Sequence, residues 1–420
     1  MSPGPTRRII PISPIEAPTR EGVMPAPPTA PTSPEPYRVL FPAGAALGIL
    51  GVLPWLLMAL GAPGYPADLH RALMIEGFEL CFVAGFLLTA MPAFTHGPRC
   101  QPIELQRVCV AIAGFAMSAL LGKEAFAQAF AAAAVASLIA SLVSRVRFGK
   151  AAPPEEFALV GMGLLLGLVG TVGGLLLATG VVQEPAPRWF ARTLSLGMVL
   201  SLVLGLGGLL VPTFSVMAQP LAITGIARAG QRGPRRAFLL TVAAALLGAL
   251  VCDAALHPQW GAWLRAIAAT ASGLLAWKLW QLPGRRERLS WCLWASGWCV
   301  LAGLWLAALV PAQQLAGWHL VFGGGFGLLT LGIASRVVVS HGGHGLAAEH
   351  QVLTTPVVTL VVLAVVTRVA AGWVPGAGVT HAYGAAAVLW ILAWGLWLAR
   401  VMPRVRRIGS PVRMPTTPDH

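Results

Sequence analysis

The stretch His70–Phe94, HRALMIEGFELCFVAGFLLTAMPAF, determines the class of this chain. It is apolar over more than the roughly 18 residues that mark a transmembrane helix. Yet it begins at His70 and carries Glu76 and Glu79 within the apolar run. Ionisable groups inside a membrane helix are costly and usually serve a function. The stretch therefore predicts a membrane helix whose ionisable side chains have a function.

The composition of the whole chain agrees with a membrane protein. Of the 420 residues, 56% are hydrophobic and only 10% are charged, whereas soluble domains are about 25% charged. The net charge of +14 does not indicate nucleic-acid binding, because the basic residues fall between apolar segments, as in membrane topology. We expect an all-α polytopic protein surrounded by lipid, with no nucleic-acid partner.

Hydropathy divides the chain into two tails and one transmembrane domain. Residues 1–36 are rich in proline, have no apolar core of a signal peptide and are expected to form a disordered tail. Residues 37–402 form the membrane domain, and 403–420 form a second tail. The domain contains about twelve predicted spans, which are 38–60, 70–94, 105–122, 124–145, 157–180, 189–217, 237–256, 260–281, 290–311, 316–340, 353–374 and 381–402.

The distribution of basic residues orients the chain. Most of the 29 Lys and Arg residues, including those of both tails, fall on one side of the predicted spans. The exceptions are Arg71, Lys123, Arg188, Arg192 and Arg265 on the opposite side, with Lys278 and Arg368 inside spans. Since loops rich in Lys and Arg stay in the cytoplasm, both termini are predicted to be cytoplasmic.

A short pattern recurs along the chain. The second span ends in GFLLTAMPAF from Gly85, and the sixth ends in GLGGLLVPTF from Gly205, so that Gly, Pro and Phe repeat at the same spacing. The tenth span offers GLLTLGIASR from Gly327, which keeps only the Gly. Two interpretations fit this pattern: three pseudo-repeats of four helices, or chance recurrence of Gly and Pro, which are both common in membrane helices. The layout resembles that of haem-copper oxidase catalytic subunits, which bind haem through histidines on their second and tenth helices.

Five polar groups fall in the outer half of the predicted membrane. At about 1.5 Å per residue, Glu76 and Glu79 lie roughly 9 Å and 13 Å below His70 and share one helix face. Arg368 on span 11 has a similar depth, and His319 begins span 10. One interpretation is a structural Glu–Arg ion pair. Another is a polar cofactor cavity, in which Arg pairs with a propionate and Glu handles protons or orients a ligating His.

Glycines and further histidines extend this candidate site. The run Gly323–Gly325, followed by Gly327, leaves a nearly bare helix face, which suits either close helix packing or a flat macrocycle. His381 begins span 12 on the outer side and is a candidate copper ligand. His341, in SHGGHG at the cytoplasmic end of span 10, is a candidate metal ligand on a loop that is equally typical of a polar turn.

Two of these stretches resemble the NnrS family. HRALMIEGF and GFLLTAMPAFTHG are similar to its early motif, although Ala72 and Leu73 stand where the family pattern has His and Glu. HLVFGGGFGLLTLGIASRVVVSHGGHG resembles its late motif, with matches that include His319, Arg336 and His341. GGLLVPTFS is similar to a middle motif.

The resemblance implies a bacterial membrane protein with haem and copper, linked to nitric oxide stress and denitrification. It implies haem b on His70 and His319, with Arg368, Glu76 and Glu79 beside it, and copper at His381 or His341. A haem-dependent redox enzyme acting on nitric oxide is one form of this function. Two alternatives remain from the residues themselves, a proton-coupled secondary transporter and an assembly factor for a respiratory complex.

Overall fold

The computed structural model describes residues 35–183, 190–191, 193–216, 232–255 and 257–406. Within these ranges the secondary structure is helical, with no strand. Most of the two predicted tails, together with Arg188 and Arg192, lies outside the described residues. The prediction of an all-α polytopic membrane protein is confirmed, because eleven helices of the described part are long and apolar enough to cross a membrane.

Twelve helices, numbered here in chain order, correspond to the predicted spans. They are α1 Tyr37–Ala59, α2 Ala67–Thr95, α3 Pro102–Leu120, α4 Glu124–Phe148, α5 Phe157–Ala178, α6 Thr193–Ser215, α7 Arg232–Ala254, α8 Pro258–Ala271, α9 Arg288–Leu309, α10 Pro311–His341, α11 Thr355–Trp373 and α12 Gly378–Arg406.

Helix α8 differs most from its predicted span. It is extended only by the π turn Ser272–Ala276, so that it ends before the predicted 281, and it is not among the eleven apolar spans. Its Arg265 is buried and binds Asp253 of α7 at 2.8 Å. This internal ion pair lets a helix of lower hydropathy remain in the bundle, because each buried charge has a partner.

Three helices form the interior of the bundle. In α2, α6 and α10, 89%, 94% and 83% of the apolar window is buried within the protein, against 28–56% in the other membrane helices. These are the second helices of the three predicted units. The last helix of each unit packs against the first helix of the next, as α4 on α5, α8 on α9 and α12 on α1. Both observations favour three units of four helices.

A π turn interrupts each of the three interior helices near its N-terminal end. The turns are Leu73–Glu79 in α2, Thr193–Val199 in α6 and Leu320–Phe326 in α10. A π turn bonds residue i to i+5 and occurs frequently at functional sites. Its recurrence in the second helix of each unit gives the sequence repeat a structural counterpart.

Close backbone approach holds α9 against α10. A Cβ atom on Gly317 would lie 2.5 Å from the carbonyl oxygen of Gly303 and 2.9 Å from the amide nitrogen of Ala307. Small residues allow such contacts between membrane helices. Since Gly317 precedes His319 by half a turn, this contact also fixes the position of His319 relative to α9.

We expect Gly317→Ala to destabilise the protein by about 1–3 kcal/mol, because the added methyl group meets backbone atoms that cannot yield. The measurement is the thermal unfolding midpoint of the purified protein in detergent. The matched control is Gly395→Ala in α12, where a Cβ atom meets nothing within 4 Å. An unchanged midpoint for Gly317→Ala would contradict the close contact.

Candidate functional site

The main cavity lies between the N-terminal halves of α2 and α10 and has a volume of about 420 Å³. This is within the roughly 300–1,000 Å³ of small-molecule and cofactor sites. Its walls are mainly apolar, with a few polar groups converging on it. Its polar and aromatic lining residues include Trp55, Tyr65, His70, Glu79, Ser195, Trp318, His319, Arg368, Tyr383 and Trp390.

Of the π turns in the described residues, the three near the N-terminal ends of α2, α6 and α10 border the main cavity. The turn in α2 contributes Phe78 and Glu79, that in α6 contributes Ser195, and that in α10 contributes Phe322 and Gly323. His70 and His319 lie just before the first and third turns. The cavity is therefore formed where the interior helices of the three units depart from α-helical geometry.

His70 and His319 face each other across the main cavity. Their rings are nearly parallel, at 6°, with centroids 6.2 Å apart. Nδ1 of His70 lies 2.9 Å from the carbonyl oxygen of Gly51, and Nδ1 of His319 lies 2.8 Å from that of Leu315. A carbonyl only accepts, so each Nδ1 carries the proton and donates it. Each Nε2 then keeps a free lone pair, which is the tautomer of a metal ligand.

The ring separation fits a shared ligand. At 6.2 Å between centroids, the two imidazoles are too far apart for face-to-face van der Waals contact. The distance leaves room for one metal ion, since imidazole nitrogens bind metals at about 2 Å. Two histidines with the same tautomer at one cavity are a donor set that can hold a haem iron.

Arg368 is one of two arginines, with Arg71, that line the main cavity among the described residues. Its guanidinium lies over the ring of Tyr383, 4.4 Å from the centroid, in a cation–π contact. The predicted alternative of an ion pair with Glu76 or Glu79 is not seen, because within the described residues Arg368 has no carboxylate within 4 Å. Its charge is available to an anionic group in the cavity.

Aromatic residues that the sequence did not single out orient His70. Trp55 of α1 meets His70 edge-on, with centroids 5.6 Å apart, and contacts Tyr383 of α12 at 5.2 Å and Tyr65 at 5.1 Å. This wall depends on the packing of α1 against α12. A single sequence contains no signal for that long-range pairing, so Trp55 and Tyr383 could not be predicted as site residues.

Glu76 and Glu79 do not share a face, in contrast to the expectation from sequence. That expectation assumed an α-helix, in which residues three apart are neighbours. Both residues lie in the π turn Leu73–Glu79, whose wider turn directs them apart. Glu79 lines the main cavity, where its buried Oε2 has no partner among the described residues. Glu76 lines a separate small cavity with Gln128.

The glycines of the run in α10 face two different surroundings. A Cβ atom on Gly324 would lie 2.9 Å from Sγ of Cys299, and one on Gly325 would lie 2.5 Å from Cγ2 of Val300. These two glycines allow close packing on α9. Gly323 lines the main cavity instead, so one position of the run faces the space where a flat ligand would lie.

The two predicted copper ligands lie away from this pair. His381 is exposed at the start of α12. His341 ends α10, where its ring lies 6.0 Å from that of Tyr37 and its Nδ1 lies 3.9 Å from Glu35. In the part of the chain that the structure describes, no group of three or more His, Cys, Asp or Glu residues could hold a metal ion. Copper binding stays a prediction.

A cysteine placed at the wall of the main cavity can show whether a reagent enters the cavity. In Ser195→Cys, we expect a small polar methanethiosulfonate to add one more label than in the parent protein, because Ser195 lines the main cavity. Gly323→Phe in the same background should block the label, because Gly323 lines the same cavity and a Cβ atom there meets only Val365 within 4 Å. Mass spectrometry counts the labels.

The control for the blocking substitution is Gly161→Phe, at a position of α5 where a Cβ atom meets nothing within 4 Å. It should leave labelling of the Ser195→Cys protein unchanged. Labelling that persists in Gly323→Phe would show that the two positions do not share one cavity.

The family model described as NnrS protein matches residues 31–408 of the chain. This range includes all twelve helices. No curated protein matches the chain.

Proposed function

Since the chain belongs to the NnrS family, we propose that it is a haem-binding membrane protein that acts in nitric oxide tolerance and denitrification-related metabolism. The observation that carries the haem proposal is the facing pair His70 and His319. Each ring donates Nδ1–H to a backbone carbonyl and keeps Nε2 free at the wall of one cavity.

The proposal includes the location of the protein. Eleven apolar helices make the chain a multi-pass membrane protein. The concentration of Lys and Arg on one side supports a bacterial inner membrane with both termini in the cytoplasm. The main cavity, near the N-terminal ends of α2 and α10, then lies towards the outer face.

The other lining groups fit a haem in complementary ways. Arg368 would pair with a propionate by a charge-assisted hydrogen bond. Glu79 presents a buried carboxyl oxygen without a partner among the described residues, which can hold a proton or accept a hydrogen bond at the ligand's edge. Trp55 and Tyr383 exclude water from one side of His70. A bound haem would supply an iron centre for one-electron chemistry.

Two alternatives receive less support. A secondary transporter commonly has two halves related by symmetry, whereas the π turns and helix contacts here divide the described part into three units. An assembly factor for a respiratory complex would not need His70 and His319 to leave both Nε2 atoms free for a metal. We therefore place haem binding first.

The test of the haem proposal is the optical spectrum of protein purified from haem-replete cells. We expect a Soret band that is lost in His70→Ala and in His319→Ala, because each removes one nitrogen ligand. His381→Ala is the control and should keep the band, since His381 lies outside the main cavity. Colourless wild-type protein would refute haem binding.

The role of Arg368 can be measured separately. In Arg368→Gln we expect the Soret band to remain but haem affinity to fall about tenfold or more, because a hydrogen bond to a charged group contributes roughly 1.5–3 kcal/mol. The measurement is haem titration of the apoprotein. Arg400→Gln, near the C-terminal end of α12 and outside the main cavity, should bind haem as the parent does. Equal affinity in both variants would exclude the propionate contact.

A further inference from the structure

A second, smaller space lies on the other side of the π turn of α2. This side cavity has a volume of about 90 Å³ and is bordered by α2, α4, α5 and α6. By volume it would hold about three water molecules at roughly 30 Å³ each. Its polar lining groups are Arg71, Glu76, Glu124 and Gln128. The remaining lining residues described on α5 and α6 are glycine or apolar.

Two buried oxygen atoms in the side cavity have no hydrogen-bond partner among the described residues. Glu76 and Gln128 are 4% and 8% exposed. Glu76 Oε2 accepts a long hydrogen bond of 3.4 Å from Nε2 of Gln128. Within the described ranges, Glu76 Oε1 and Gln128 Oε1 have no donor. Because buried polar atoms nearly always have a partner, these two oxygens point to a bound ligand.

The backbone beside the amide leaves room for this arrangement. A Cβ atom on Gly174 of α5 would lie 2.6 Å from Gln128 Oε1. Any larger residue at this position would force the amide group to move. The absence of a side chain at Gly174 thus keeps an unpartnered acceptor at the wall of the side cavity.

The charges at the side cavity favour a positive ligand. Glu76 is buried at its inner end, while Glu124 is exposed at the start of α4 and Arg71 is partly exposed beside His70. Among the described lining residues, two carboxylates stand against one guanidinium. One positive charge would balance this set, and carboxylate, amide and water oxygens are the ligands that hard cations prefer.

We propose that the side cavity binds one monovalent cation through Glu76 and Gln128, either a sodium ion or a proton taken up by the Glu76 carboxylate. The exposed Glu124 lies between this site and the solvent at the end of the bundle where α2 begins. The π turn Leu73–Glu79 separates the site from the main cavity, with Glu76 on one side and Glu79 on the other. Occupancy of the side cavity would therefore change the charge next to the histidine pair.

Sodium binding is tested on purified, haem-free protein, so that the outcome does not depend on haem. At constant ionic strength, replacing choline with sodium should raise the thermal midpoint of the parent protein progressively, because a ligand that binds only the folded state stabilises it. Glu76→Gln should abolish the response. Gln128→Met should shift it to about tenfold higher sodium.

Proton binding is tested by infrared spectroscopy of the same proteins during a pH titration. A carboxylic acid C=O band that titrates in the parent and is missing in Glu76→Gln, without any sodium response, identifies the proton as the cation. Glu155→Gln is the control for both measurements, because it removes a carboxylate that does not line the side cavity.

The two variants keep the result interpretable. Glu76→Gln preserves the size of the side chain, and Gln128→Met removes only the amide, so each should fold. If the parent and Glu76→Gln show the same sodium response and the same infrared bands, the side cavity contains water alone and the proposal is wrong.

Discussion

The π turns of α2, α6 and α10 are the constraint on which the site depends. In a membrane, every backbone polar group must find a partner within the protein, so an irregular segment persists only where it is buried. These three helices are the most buried of the bundle, and their turns meet at one cavity. The departure from α-helical geometry creates the space, places His70 and His319 at its wall, and sends the two carboxylates of α2 in different directions.

The sequence could predict much of the fold because lipid imposes simple rules. Apolar length located the helices, and the recurrence after Gly85 and Gly205 indicated three units. Counting residues along the helices also placed His70, His319, Glu79 and Arg368 in the outer half of the membrane, and all four line the main cavity. Depth follows from counting residues along a helix, so this part of the site required no knowledge of tertiary contacts.

The sequence could not predict the direction of side chains across the π turn. The shared face expected for Glu76 and Glu79 follows from a 3.6-residue period, which Leu73–Glu79 does not keep. Nor could it predict Trp55 and Tyr383, because their contact with each other and with the site depends on the pairing of the first and last helices. Hydropathy alone predicts neither the local geometry of a π turn nor the long-range packing of two helices.

The parallel orientation of the two imidazoles is the part of the account that one measurement tests most directly. With rings inclined by only 6°, an oxidised haem held by His70 and His319 should give a rhombic low-spin signal in electron paramagnetic resonance at low temperature. Axial imidazoles in perpendicular planes give a different, strongly anisotropic low-spin signal. That signal, a high-spin signal or no haem signal in the haem-reconstituted protein would contradict the account.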